Sequence, residues 1–149
     1  MLRRAVFAVL VSSLSFAALA EDPATPTALK GGKVISVDDA STLSKAKSAT
    51  FVDTRSPLNF GKGHIPAAVS AAYKEKSDKV ENFNAAEDSF DFAKIPADKS
   101  AAIVFYSDGP TGWKSYKAAV LAIKEGYKNV SYFRGGYTDW TAKNLPSER

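Results

Sequence analysis

Short apolar segments alternate with longer segments of mixed polarity along most of this 149-residue chain. Short apolar runs that are rich in β-branched and aromatic side chains are typical of strands. Five such runs predict strands at residues 33–37, 50–55, 69–73, 101–106 and 129–133. The run at 101–106 is apolar throughout, which is typical of a strand in the middle of a parallel sheet.

Two of the longer segments have the features of helices. Residues 38–49 begin with three candidate N-caps, which are Asp38, Asp39 and Ser41. In residues 113–125 the apolar side chains recur at helical spacing and predict one buried stripe. The stripe consists of Trp113, Tyr116, Val120 and Ile123, and Gly126 follows as a candidate C-cap. Shorter helical pieces are predicted within residues 56–68, 74–100 and 135–144.

The alternation of strands and helices predicts a parallel sheet with helices on both faces. In sheets of this kind, functional groups gather where the strands end. Three polar clusters follow predicted strands at such positions, namely Asp53-Thr54-Arg55, residues 107–112 and Arg134-Gly135-Gly136. These clusters are the candidates for a functional site.

The N-terminus has the pattern of a secretory signal peptide. Two arginines, an apolar run and an Ala-Leu-Ala cleavage signal occupy residues 3–4, 5–16 and 18–20. We expect cleavage after Ala20 and a periplasmic or secreted protein. A membrane anchor is the alternative, but the apolar run is shorter than the roughly 20 residues that a bilayer requires. Residues 21–32 predict a flexible mature N-terminus, and no later segment predicts contact with a membrane.

Composition excludes several classes of chemistry. The sequence contains no cysteine and one histidine, His64. Disulfides, a thiol nucleophile and thiol redox chemistry are therefore excluded, and a metal site built from histidines or thiolates is disfavoured. The formal net charge of +4 is small, and basic residues are interspersed with acidic ones, so no nucleic-acid partner is indicated. The sequence predicts no cofactor and no metal.

Three segments resemble parts of the rhodanese-like domain family. They are FVDTRSPLNFGKGHIPAAV at 51–69, IPADKSAAIVFY at 95–106 and KAAVLAIKEGYKNVSYFRGGYTDW at 117–140. The matching positions are Asp53, Arg55, Gly63, His64, Pro66, Gly126, Gly135, Gly136 and Trp140. The resemblance implies one rhodanese-like domain over residues 33–146, a three-layer α/β/α sandwich around a five-stranded parallel sheet.

For active members, the resemblance implies sulfur transfer through a persulfide on a cysteine that directly follows the central strand. Ser107 stands at that position here, and Lys114 falls near the basic residue that closes the loop. A closer subgroup comprises exported proteins associated with quinoprotein-dependent alcohol oxidation, and its loop carries Cys-x-x-Cys-Trp. The corresponding residues here are Gly109-Pro110-Thr111-Gly112-Trp113, in which both cysteines are replaced by glycine.

The candidate anion-binding loop consists of Ser107, Asp108, Gly109, Pro110, Thr111, Gly112, Trp113 and Lys114. Backbone N–H groups at a helix start, shaped by glycine turns, can hold an oxyanion without a special side chain. The alternative is that glycine and proline only shape a turn here. Ser107 lacks the sulfur atom that would carry a persulfide, and no base is predicted beside it. A small polar side chain that fills space at the strand end is therefore favoured over a nucleophile. Trp113 is either a core residue or an aromatic surface for a partner.

Three residues outside the loop are expected to support it. The resemblance implies that Asp53 and Arg55 serve structure, with Arg55 tying loops together near the sheet edge. Such a pair can be bidentate and rigid. We expect His64 to be a hydrogen-bonded loop residue rather than a catalyst.

The sequence therefore favours an exported rhodanese-like domain that acts as a non-catalytic binding module. Its ligand would be a small oxyanion or a periplasmic protein partner, in the setting of an exported oxidation system. One alternative is an enzyme that uses Ser107, or a sulfur-handling protein that leaves the sulfur on a partner's thiol. The third alternative is that the protein is a purely structural accessory subunit.

Overall fold

The computed structural model describes residues 21–149, so the predicted signal peptide lies outside the described residues. Five parallel strands form one sheet in the order β1-β5-β4-β2-β3. The strands are β1 Lys33–Ile35, β2 Thr50–Asp53, β3 Val69–Ser70, β4 Ile103–Tyr106 and β5 Val130–Phe133. All five lie within the predicted segments, and β4 is central, as its continuous apolar run predicts.

Within residues 21–149, three α-helices lie between strands and a fourth follows β5. They are α1 Val37–Ala46, α2 Pro57–Lys62, α3 Trp113–Lys124 and α4 Gly136–Ala142. The N-cap of α1 is Ser36, which forms a capping box with Asp39, so none of the three predicted residues is the cap. Ser36 was missed because the predicted strand extended through residue 37. Ser56 caps α2, where Pro57 occupies the first turn.

Helices cover both faces of the sheet, which confirms the predicted three layers. On one face, α3 packs against Phe105 and Tyr132 in the larger hydrophobic core. On the other face, α1 and α4 contribute Ala40 and Trp140 to a second core around Val104. Burying a large apolar side chain stabilises a fold by roughly 1.5–3 kcal/mol, so these two cores are its main support.

The predicted stripe on α3 is buried only in part. Trp113 and Tyr116 are buried, whereas Val120 and Ile123 are only partly covered. Three small residues of the helix, Ala118, Ala119 and Ala122, are fully buried. These alanines let the helix axis approach the sheet, and Val120 and Ile123 lie at the margin of the contact.

Residues 74–100 contain no α-helix, contrary to the predicted helical piece. Two short 3₁₀ turns, Ala85–Glu87 and Phe92–Lys94, interrupt an otherwise irregular path. The path is held by hydrogen bonds that Asp88 accepts from the hydroxyls of Tyr73 and Ser77, and by apolar side chains such as Phe83 that reach the larger core. Within residues 21–149, no helix is long and apolar enough to span a membrane.

Candidate functional site

The three polar clusters meet at one edge of the sheet. Asp53 pairs with Tyr106, and Tyr106 pairs with Phe133, in register across β2, β4 and β5. Because these strands are parallel and in register, the residues that follow them emerge side by side. Arg55, Ser107 and Arg134 therefore lie at the same edge, where open α/β sheets bind their ligands.

The loop after β4 is fixed by its own backbone. The Ser107 carbonyl accepts a hydrogen bond from the Tyr137 amide at 2.9 Å, and the Asp108 carbonyl accepts one from the Thr138 amide at 2.9 Å. A turn is closed by the Gly112 amide, which donates to the Gly109 carbonyl at 2.9 Å. These bonds join the loop to the first turn of α4.

Gly136 is required for that junction. Its φ is +59°, and a Cβ at this position would lie 2.5 Å from the Ser107 carbonyl oxygen. A side chain here would therefore be strained in its backbone and would collide with the loop. The second glycine of the Gly-Gly pair thus keeps α4 in contact with the residue that follows β4.

Asp53 and Arg55 form a buried ion pair at the end of β2. Arg55 Nη2 lies 2.6 Å from Asp53 Oδ2, and Arg55 Nε donates to Asp53 Oδ1 at 3.0 Å. Arg55 Nη2 also donates to the Gly63 carbonyl at 2.8 Å, and the guanidinium carbon lies 4.3 Å from the centre of the Tyr137 ring. Burial alone would lower the pKa of Arg55, but the hydrogen bonds and the charge of Asp53 raise it. The guanidinium therefore remains charged and joins three segments.

A cavity of about 200 Å³ opens beside this ion pair. Its charged lining residues are Arg55, Lys79 and Lys114 together with Asp22, Glu75 and Asp108. The formal charges of these six side chains cancel. The hydroxyls of Ser107 and Thr111 also line the cavity, and Arg55 Nη1 lies 4.0 Å from Asp108 Oδ1.

Several backbone amides near the cavity have no protein acceptor. Within residues 21–149, the amides of Asp108, Gly109 and Thr111 donate no hydrogen bond to the protein. Gly112, the residue before α3, has no side chain to cap the first amides of the helix. Those amides carry the positive end of the helix dipole. Within residues 21–149, the loop beside the cavity therefore has amides without a protein acceptor and a helix start without a side-chain cap, and acidic side chains share the cavity.

Ser107 lies at the cavity wall and is 3% exposed. In the part of the chain that the structure describes, no histidine, lysine or carboxylate is hydrogen-bonded to its hydroxyl. His64 Nδ1 instead donates to the Phe60 carbonyl, 2.9 Å away, and the imidazole stacks on the Phe60 ring with 3.7 Å between the ring centres. Backbone bonds join His64 to Glu148 near the C-terminus. The structure does not bring Ser107 and His64 together.

Trp113 is a buried residue, not an open aromatic surface. It is 4% exposed, and its indole N–H donates to the Pro23 carbonyl at 2.7 Å. Of the two alternatives for Trp113, the structure supports the core position. Its partner lies in residues 21–32, whose contacts the sequence did not predict.

Lys117 and Glu75 form a second buried ion pair, which sequence reasoning missed. Lys117 is fully buried, and its Nζ lies 2.8 Å from Glu75 Oε2, which is also buried. The same ammonium donates to the carbonyl of Ser77 at 3.1 Å and to its hydroxyl at 2.8 Å. Glu75 also lines the cavity.

Within residues 21–149 no group of three potential metal-binding side chains occurs.

The comparisons with known proteins agree with this architecture. The family described as Rhodanese-like domain matches residues 36–143. The thiosulfate:glutathione sulfurtransferase of Saccharomyces cerevisiae is 30% identical over 99 residues, which cover 64% of this chain and 66% of that enzyme. The aligned segment thus spans just under two thirds of the yeast enzyme.

Two solved structures share the fold. A Bacillus halodurans protein has a TM-score of 0.58 and 22% identity over 78% of this chain and 76% of its own. The thiosulfate sulfurtransferase of Pseudomonas aeruginosa has a TM-score of 0.59 and 18% identity, over 80% of this chain and 21% of its own. The family match extends over well more than half of the sequence, and the chain therefore belongs to the rhodanese-like domain family.

Proposed function

We propose that this chain is an exported rhodanese-like domain that binds a small oxyanion and carries out no thiol-based sulfur transfer. The observation that carries the proposal is the position of Ser107, directly after the central strand in a loop that backbone hydrogen bonds join to α4. Transfer through a persulfide requires a cysteine thiol, and the sequence contains no cysteine. The sulfur transfer named for the yeast relative is therefore not proposed for this chain.

Three features support an oxyanion as the ligand. The first amides of α3 and the unpartnered amides of the loop favour an anion as the ligand, because helix starts commonly bind anions. Arg55 is 5% exposed, and its Nη1 makes no hydrogen bond within residues 21–149 although the guanidinium lines the cavity. Lys79 and Lys114 add positive charge. Because acidic residues share the cavity, we expect binding to be weak and to decrease with salt.

We further propose that the protein acts in the periplasm, beside an exported quinoprotein oxidation system. The support is the signal-like N-terminus and the Gly109–Trp113 segment, which keeps the tryptophan of the subgroup's motif and lacks its cysteines. N-terminal sequencing of protein from fractionated cells tests export. The proposal expects periplasmic material that begins at Glu21, and an uncut cytosolic chain would contradict it.

An anion titration monitored by NMR tests the binding. Sulfate and thiosulfate should shift the amide signals of Asp108, Gly109 and Thr111, and the shifts should shrink as sodium chloride is raised. Lys114→Ala should weaken binding, whereas Lys128→Ala, an exposed lysine outside the cavity, should not. If the wild-type amide signals do not shift, or if Lys114→Ala and Lys128→Ala weaken binding equally, the result counts against a specific oxyanion site.

The serine-dependent alternative has its own test. It requires a base that removes the Ser107 proton, and the described residues place none in hydrogen-bond contact with the hydroxyl. We expect Ser107→Ala to retain anion binding. A turnover of any substrate that this variant abolishes while the fold is kept would favour the alternative over our proposal.

A further inference from the structure

The segment Asp22–Thr25 crosses the candidate anion-binding loop and is anchored to it at one end. Thr25 is 3% exposed, and its amide donates to the Pro110 carbonyl at 2.8 Å. Its hydroxyl lies 2.7 Å from the Tyr132 hydroxyl, and Arg134 Nη2 donates to its carbonyl at 2.9 Å. The anchor thus involves main chain and side chain together. We call residues 22–25 the strap.

The other end of the strap reaches the cavity. Asp22 lines the cavity, and its Oδ2 lies 2.7 Å from Lys79 Nζ. Between the two ends, the Pro23 carbonyl accepts the indole N–H of Trp113. The Asp22–Lys79 pair is partly exposed, with side-chain exposures of 54% and 34%. An exposed ion pair is weak, so the Asp22 end is held loosely while the Thr25 end is held firmly.

We propose that the strap regulates the cradle, with Asp22 as an internal competitor that an incoming oxyanion must displace from Lys79. This inference rests on the proposed oxyanion site. An oxyanion in the cavity would take the position of the Asp22 carboxylate beside Lys79, because two negative groups cannot share one ammonium without repulsion. Thr25 remains in place and acts as the hinge.

The charges of the cavity make this competition effective. Three basic and three acidic side chains line the space. Glu75 is already neutralised by the buried ammonium of Lys117 at 2.8 Å, and Asp108 lies near Arg55. Asp22 is the acidic lining residue carried by a segment outside the core of the domain. Its withdrawal leaves the cavity with excess positive charge.

Two variants with the same change of charge test the proposal. Asp22→Asn removes the strap carboxylate that lines the cavity, and Asp78→Asn removes an exposed carboxylate that does not line it. With sulfate as the probe, we expect Asp22→Asn to tighten binding roughly two- to fivefold, as expected for loss of an exposed ion pair. Asp78→Asn should change it by less.

The two tryptophans provide an independent readout. Each indole N–H donates to a proline carbonyl, Trp113 to Pro23 and Trp140 to Pro146. Sulfate and Asp22→Asn should both move the Trp113 indole signal and speed its exchange with solvent, while the Trp140 signal serves as the control. The Thr25 amide should stay protected, because the hinge does not open.

The outcomes separate this inference from the function on which it rests. If sulfate binds wild type and Asp22→Asn equally, with the Trp113 signal unchanged, the strap is a fixed part of the fold and only this inference fails. If sulfate binds neither protein, both proposals fail. If it binds only Asp22→Asn, the competition by Asp22 is supported, but the wild-type chain does not bind sulfate and the proposed function fails.

Discussion

Arg55 and Asp53 stand two residues apart and form a buried bidentate pair, with Arg55 Nη2 2.6 Å from Asp53 Oδ2. Asp53 is fully buried and Arg55 is 5% exposed. The pair ends β2, holds the loop at Gly63 and presents a guanidinium to the cavity. One interaction therefore supports both the fold and the candidate site.

Breaking this pair should destabilise the protein strongly. Arg55→Met leaves the Asp53 carboxylate buried and uncompensated, which costs about 3–5 kcal/mol in comparable sites. Arg55→Lys should also destabilise, because an ammonium cannot reproduce the bidentate contact and the bond to Gly63 together. Urea unfolding measures both, with exposed Lys62→Ala as the control. A loss of less than about 1 kcal/mol in Arg55→Met would contradict the assigned role.

The Lys117–Glu75 pair predicts non-additive stability changes. Lys117→Met should cost about 3–5 kcal/mol, because it leaves the buried Glu75 without its cation. The double variant Lys117→Met with Glu75→Leu should be more stable than Lys117→Met alone, since no buried charge then remains. A double-mutant cycle by urea unfolding measures the coupling. Additive effects would show that the two charges are solvated independently.

Asp88 predicts a particular acid sensitivity. Partial burial would raise the pKa of Asp88, but hydrogen bonds from the Ser77 hydroxyl and amide, the Tyr73 hydroxyl and the Lys76 amide lower it to about 2. The folded-state pKa lies below the unfolded value, so this stabilisation is fully present above about pH 4 and is lost as pH falls towards about 2.

Asp88→Asn should therefore be less stable than wild type at pH 7, and the difference should shrink between about pH 4 and pH 2. The measurement is the urea unfolding midpoint at each pH. Asp78→Asn, an exposed neighbour in the same irregular segment, is the control. A difference that does not depend on pH would mean that the charge of Asp88 is not what its hydrogen bonds stabilise.

The two glycines of the Gly109–Trp113 segment should differ in their tolerance of a side chain. A Cβ on Gly112 would lie 2.9 Å from Ser107 Oγ and 3.1 Å from the Gly109 carbonyl oxygen. A Cβ on Gly109 would meet nothing closer than 3.6 Å. Gly112→Ala should thus cost about 1–3 kcal/mol, as overpacking does, and Gly109→Ala should cost less. Thermal unfolding compares them, and the reverse order would contradict the loop geometry.

The strands could be predicted from the sequence because each is a short apolar run, and the end of the run at Tyr106 places Ser107 at the edge of the sheet. Lys117 could not be predicted as buried, since its partners Glu75 and Ser77 lie in a segment without periodicity. The contacts of the strap could not be predicted from the sequence for a similar reason. Thr25 and Arg134 are 109 residues apart in sequence, and a Pro- and Thr-rich segment carries no local signal of what it will contact.

We claim that the loop of this rhodanese-like domain keeps its anion-binding backbone while its nucleophile is absent, and a thiosulfate–cyanide assay measures whether a cysteine at position 107 restores sulfur transfer. In Ser107→Cys, the introduced thiolate would attack the outer sulfur of thiosulfate, release sulfite and pass the sulfur to cyanide as thiocyanate. Exposed Ser100→Cys controls for thiols in general. We predict thiocyanate from Ser107→Cys and none from wild type or Ser100→Cys. Thiocyanate formed by wild type, or none formed by Ser107→Cys, would contradict the claim.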